Sequence, residues 1–444
     1  MINLYYDKII DNTPIPNGAL KYTFSKDFKR LPIVSDANSP IMPITAFYNA
    51  MKATGTTVNL YSGSNTVANL FYPFELGLGR SWNVPLINYI PTKTVSRIKK
   101  GKMKLLILAP RIAYDYSLLW KLRSRLDYLE INGIHRSQIC IVLGDLNQTY
   151  KRLFDNPNVY GFDWWQVHAQ IAYKSRYGLE DLHWVFRDTA SSPLNKQDIE
   201  AEDFNIENWN PTRIFTAYTG NTQLHDTSLV SEIIHRQLDT CGIYAFNIVD
   251  EIPAHNYKDF RIVDKSKGEE YIEAKREIIK KLHTTIRKID FDYTTSNKDP
   301  LKINKKLFED SVINIVSEGY TPKFDQHYLD EINVISPSLK VWRQIAKGHP
   351  FMVLGCLNTL GYISNEGYFG QTTLIDQRYD KISSTVEKVN MLCNNIEMLN
   401  SYSTTELQEK MHETIPFLKK NQEKFFKKPN KRKFEALFRE MKYE

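Results

Sequence analysis

Apolar residues recur along this chain in two ways. Some fall in short unbroken runs closed by glycine, proline or charge. Others return every three or four positions. The runs are Met103-Lys-Leu-Leu-Ile-Leu-Ala-Pro110, Ile139-Cys-Ile-Val-Leu143, Arg213-Ile-Phe-Thr-Ala-Tyr218, Ile243-Tyr-Ala-Phe-Asn-Ile-Val249, Ser311-Val-Ile-Asn-Ile-Val-Ser-Glu318 and Phe351-Met-Val-Leu354. Each is too short for a helix and reads as a buried strand. Between them, Leu118, Leu119, Leu122, Leu126 and Leu129 mark one helix, and Leu229, Val230, Ile233, Ile234 and Leu238 another. Trp342, Ile345 and Ala346 lie on one side of a third. Strand, helix, strand in succession predicts parallel strands joined by right-handed crossovers. The class is α/β, with doubly wound sheets.

Punctuation supports the same reading. Gly101, Gly133, Gly242 and Gly348 are expected to close helices, because glycine enters the left-handed cap without penalty. Pro350 forbids the last of these helices from resuming. Asp226 is expected to cap the helix that follows it. Further on, Ile382, Val386, Val389, Leu392, Ile396 and Leu399 predict a long amphipathic helix. Leu407, Met411, Ile415 and Leu418 predict a second, and Phe434, Leu437, Phe438 and Met441 a last one. The first ninety residues are harder to read. Leu31-Pro-Ile-Val, Thr57-Val-Asn-Leu-Tyr61 and Ala68-Asn-Leu-Phe-Tyr-Pro-Phe74 are candidate strands, and Pro43 to Lys52 a candidate helix. The pattern divides the chain at 1–90, 91–205, 206–400 with an insertion at 250–310, and 401–444.

The chain has 444 residues, 42% apolar and 25% charged, which fits a globular protein of two or three domains. No apolar run approaches the ~20 residues that span a bilayer, and Met1 to Asp7 lacks the features of a signal peptide. The four cysteines, Cys140, Cys241, Cys356 and Cys393, are widely spaced in apolar surroundings and read as reduced residues of a cytoplasmic protein. A net charge of +7 permits a polyanionic partner without demanding one. The basic tail sharpens that possibility. Lys419, Lys420, Lys424, Lys427, Lys428, Lys431, Arg432 and Lys433 enclose Phe425 and Phe426, opposed only by Glu423. This cluster is a candidate contact for duplex DNA. The competing reading is a solvated face anchored by the two phenylalanines.

Candidate chemistry gathers at expected strand ends, where doubly wound sheets bind ligands. Gly144-Asp145-Leu-Asn147 follows one strand, and Glu318 ends another. Thr219-Gly-Asn-Thr-Gln-Leu-His225 runs from a strand into a helix start, a natural anion site. Asp163 and His168, in the aromatic stretch Gly161 to His168, are candidate bases, with a structural role the competing reading for each. Ser62-Gly-Ser-Asn-Thr66 lacks the spacing of a phosphate-binding loop and reads as an ordinary turn. The Gly348-His349-Pro350 connection is likewise expected near a ligand.

The order of these motifs resembles the glycosyltransferase-like proteins of the GT-B fold found in phages and large viruses, themselves distantly similar to the fucosyltransferases. Three patches within residues 92–440 carry the resemblance. Val95 to Ile107 looks like the family's helix-Gly-Lys entry to its first domain. Arg213 to His225 looks like its strand, L-N-R and H-R segment. Ile315-Val-Ser-Glu318, Ser338 to Ile345, Gly348-His-Pro-Phe351 and Ile375-Asp-Gln-Arg-Tyr-Asp380 look like its V-T-E-T, T-E-K-T-W-K-P-I, G-H-P-F and I-D-E-S-Y-D series. The chain departs from the family at Leu339, where the family has glutamate, and at Thr222 and Asp226, where it has arginines. The resemblance implies two Rossmann-like domains facing across a cleft with bridging C-terminal helices. It implies sugar transfer from a nucleotide-sugar donor, with no metal and no tightly bound cofactor. Donor contacts are expected from Arg213, Asn221, His225, Glu318, Lys340, Arg343 and His349, and the base from among Asp163, Asp145, Asp115 and His168. A rival reading keeps the fold without turnover, as a nucleic-acid-binding or virion structural protein.

Overall fold

The computed structural model describes residues 2–5, 51, 54–61, 67–75, 87, 90, 92–109, 116–144, 156, 158–163, 166–167, 169–170, 209–219, 224–246, 310–318, 335, 337–368, 370, 373–426 and 431–443. These fall into two compact units. One takes the described residues up to position 170 together with those after Lys428, and the other takes those from 209 to 426.

In the first unit, β1 (Ile2–Tyr5), β2 (Val58–Tyr61) and β3 (Leu70–Glu75) precede helix α1 (Thr92–Lys99). Then come β4 (Lys104–Ala109), α2 (Tyr116–Ile131), β5 (Ile139–Leu143) and β6 (Val159–Gly161). All six strands are parallel, in the order β2-β1-β3-β4-β5-β6. The sheet therefore draws half its strands from the first ninety residues. The two expected strands among these that are described, β2 and β3, sit within it; Leu31 to Val34, Pro43 to Ala50 and Ser62 to Thr66 lie outside the described residues. β5 is buried along its whole length, as a central strand covered on both faces must be. Gly101 and Gly133 follow α1 and α2 with φ of 67° and 80°, the left-handed geometry expected of them.

The second unit contains β7 (Arg213–Thr219), α3 (Leu224–His235), β8 (Gly242–Phe246) and β9 (Ser311–Ser317). It continues with α4 (Leu339–Lys347), β10 (Phe351–Leu354), α5 (Thr359–Asn365), α6 (Thr385–Ser401) and α7 (Thr404–Phe426). Its four parallel strands run β10-β9-β7-β8. The strand order reverses between β7 and β9, so the crevice at their carboxyl ends is the switch point where such sheets hold ligands.

Two helix boundaries differ from expectation. α3 begins at Leu224, so Asp226 sits inside its first turn rather than capping it. The helix ends at His235, and Gly242 opens β8 instead of closing α3. Gly242 is required there because a Cβ would lie 2.2 Å from the Phe215 ring.

The basic tail is divided between the units. α7 runs without interruption through Pro416 and carries Lys419, Lys420 and Lys424. Helix α8 (Lys431–Tyr443) belongs to the first unit. There Phe434, Leu437, Phe438 and Met441 are buried with Ile2, Leu4, Phe71 and Leu106. Phe438 packs edge-on against Phe71, and Phe434 lies tilted against Phe162. Cys140, Cys241, Cys356 and Cys393 form no disulfide. Among the described residues no helix is long and apolar enough to cross a membrane.

Candidate functional site

Three chain segments converge at the carboxyl ends of β7 and β9. β9 is an unbroken buried strand whose last residue, Ser317, delivers Glu318 to the rim of the sheet. α3 brings His225 and Asp226 in its first turn, both buried. α4 brings Ser338, its N-cap, whose hydroxyl accepts the amide of Lys340 at 3.1 Å. That serine directly before an apolar-periodic stretch is the ordinary helix-start signal. It was readable in the sequence and adds a residue to the site.

The contacts among these segments are mutual. The Ser338 amide donates to Glu318 Oε1 at 2.9 Å. The Lys340 ammonium donates to the Ser317 carbonyl at 2.8 Å. The Ser317 hydroxyl donates to Asp226 Oδ1. His225 Nε2 is 2.9 Å from the Glu318 carbonyl oxygen. A carbonyl only accepts, so Nε2 carries the proton. Burial, with the charges of Lys340 and Lys388 adding to it, pulls the His225 pKa down to about 4. The ring is therefore neutral, and its 3.7 Å approach to Asp226 is not an ion pair.

Glu318 is the pivot. Burial raises its pKa, opposed by the Ser338 hydrogen bonds and the Lys340 charge. Its Oε2 has no hydrogen-bond partner among the described residues. Gly355, just past β10, makes room for it, since a Cβ there would come within 2.7 Å of Glu318 Cβ. The Gly355 and Cys356 carbonyls are tied down in turn by buried Lys388, at 2.9 and 3.3 Å. Arg343, one turn beyond Lys340, is buried, and its Nε and Nη2 lack partners among the described residues. Buried guanidinium nitrogens without acceptors are costly, so an anion within their reach is favoured. Taken together, the end of β9 holds a carboxylate oxygen with no partner among the described residues, beside the Lys340 ammonium and the positive starts of α3 and α4.

The structure thus brings His225, Glu318 and Lys340 together, with Arg343 on the same helix as Lys340. It does not bring Arg213 or His349 to them. Arg213 is exposed at the amino end of β7. His349 precedes β10, buried, with Nε2 3.1 Å from the carbonyl oxygen of Ser311 at the start of β9. Six residue steps along β9 separate that end from Ser317, roughly 20 Å. The Gly-His-Pro connection is an αβ turn at the amino edge of the sheet, away from the edge that binds ligands; its histidine packs edge-on against Trp209 and closes the core.

Asp163 is buried after β6, and its Oδ1 accepts the Gln166 amide at 2.9 Å, so it caps a turn. Asp115, Asp145, His168 and Asn221 lie outside the described residues, as do Lys427, Lys428 and the Lys431 side chain. Of the other tail cations, Lys433 bonds the Gln166 side chain, Lys424 lies 5.1 Å above the Tyr368 ring, and Lys420 lies 6.0 Å above Phe417. Lys419 is half-buried and Arg432 exposed. Phe425 is fully buried against Trp342. No known protein family, curated protein or solved structure matches the chain.

Proposed function

We propose that the carboxyl-end crevice of the second unit binds a nucleotide sugar, and that the chain transfers the sugar to an acceptor hydroxyl within a GT-B-like pairing of its two Rossmann-like units. The observation that carries this reading is the unpartnered Glu318 Oε2 at the switch point, next to Lys340 at the start of α4. A ribose hydroxyl satisfies the carboxylate oxygen. A diphosphate meets Lys340, Arg343 and the helix starts, which stabilise the charge that develops as it leaves. A base is then needed for the acceptor hydroxyl, and the first unit is where it is sought.

The test is thermal unfolding of the intact chain with nucleoside diphosphates and nucleotide sugars. A true donor at ~100 times its dissociation constant adds about 2.7 kcal/mol of stability. Lys340→Ala and Glu318→Gln are expected to remove that gain, and Lys99→Ala on α1 to keep it. If no nucleotide shifts the transition, or Lys340→Ala and Lys99→Ala weaken binding equally, the reading is wrong.

A further inference from the structure

The second unit contains another concavity, of about 700 Å³, bounded by the first turns of α5, the 373–381 segment and the facing ends of α6 and α7. None of its lining residues belongs to the cluster around Glu318. Its chemistry has two parts. At one wall, Asp380 is buried; its Oδ2 accepts the amides of Leu360 and Gly361 at 2.9 and 3.1 Å, while Oδ1 has no partner among the described residues. Asn358 and Gln377 add carboxamides to the lining.

The other part is cationic. Asp376 is neutralised by Arg378, whose guanidinium grips both its oxygens. Lys381 and Lys410 also line the pocket, and neither ammonium makes a hydrogen bond or salt bridge among the described residues. Lys410 instead stands 5.0 Å above the Tyr402 ring. The charge that faces Asp380 from behind is that of buried Lys388. Lys410 has Glu406 one turn before it on α7, so Lys381 is the lining cation with no carboxylate against it among the described residues. Leu360 and Met398 supply apolar surface between the two regions.

We propose that this pocket is a second ligand site, for a phosphorylated sugar. Hydroxyls donate to Asp380 Oδ1 and to the carboxamide oxygens of Asn358 and Gln377. The phosphate sits on Lys381 and Lys410, and the sugar's carbon face lies on Leu360 and Met398. A bare anion leaves the carboxylate unsatisfied, and a neutral sugar leaves the lysines unused.

Glucose 6-phosphate, glucose and inorganic phosphate, titrated calorimetrically into the intact chain, distinguish these cases. Glucose 6-phosphate is expected to bind at least about tenfold more tightly than either fragment, as one charge-assisted contact is worth that much. Lys381→Ala with Lys410→Ala is expected to weaken it by at least about tenfold, whereas Lys340→Ala in the Glu318 cluster leaves it unchanged. Lys381→Ala alone, at an exposed position, gives the same comparison should the double variant fail to fold. No binding of glucose 6-phosphate, equal binding of phosphate alone, or binding unaffected by loss of the lysines overturns the proposal. Because the nucleotide titration depends on Lys340 and this one does not, either site fails independently of the other.

Discussion

A single neutral histidine gives the Glu318 cluster a definite pH signature. Burial holds His225 near a pKa of about 4, against 6.5 for a free side chain. Between those values the unfolded chain binds a proton there that the folded chain refuses. Stability from this group is thus full above pH 6.5 and falls as the pH drops toward 4, by up to about 3 kcal/mol. Glu318 acts with the opposite sign: burial raises its pKa, so acidification relieves a penalty present at neutral pH. His225→Gln should therefore flatten the loss of stability on acidification, measured by urea unfolding across that range. Parallel curves for the two proteins would show that His225 is not buried neutral. His225, Glu318 and Lys340 could be found in the sequence because each stands where a strand ends or a helix starts. Arg213 was drawn in by its motif, and His349 by its motif and by its place in an α/β connection; neither signal says which edge of a sheet a residue occupies.

At the scale of elements, α4 is the best-specified part of the second unit. Ser338 caps its start, and Gly348, with φ of 65°, ends it while its amide donates to the carbonyls of Gln344 and Ile345. Ser338→Ala should cost about 1 kcal/mol through the lost cap. Gly348→Ala should cost about 1 kcal/mol because alanine enters the left-handed region reluctantly. Chemical denaturation measures both, and a cost near zero for either would mean that tertiary packing alone holds the helix. Local signals sufficed here because they agree with the packing: Trp342 at the centre of α4 is wholly buried against Phe425. They failed at α3 for the converse reason. Asp226 looks like a cap, but its carboxylate takes the Ser317 hydroxyl from a strand ninety residues away. Gly242 looks like a helix stop, but what fixes it is the Phe215 ring on β7. Neither partner is visible within a local window.

For the molecule as a whole, the sequence pattern disclosed two parallel α/β sheets but not how far the first extends. β1 is four residues long, too short to show a period, yet it pairs with both β2 and β3 in the interior of the sheet. The helix that seals the core around it comes from the other end of the chain. Phe434, Leu437, Phe438 and Met441 of α8 are buried against Ile2, Leu4, Phe71 and Leu106. Four such side chains contribute roughly 6–12 kcal/mol at about 1.5–3 kcal/mol each, comparable to the whole stability of a typical domain. A chain ending at Phe426 should therefore lose the first unit selectively. In hydrogen exchange, the amides of β4 (Lys104–Ala109) should exchange rapidly, while those of β9 (Ser311–Ser317) keep their protection. A synthetic peptide of residues 428–444, added in excess, should restore protection in β4, because its apolar face completes the core as the unit refolds around it. Undiminished protection of β4 in the shortened chain would mean that α8 covers the sheet without stabilising it.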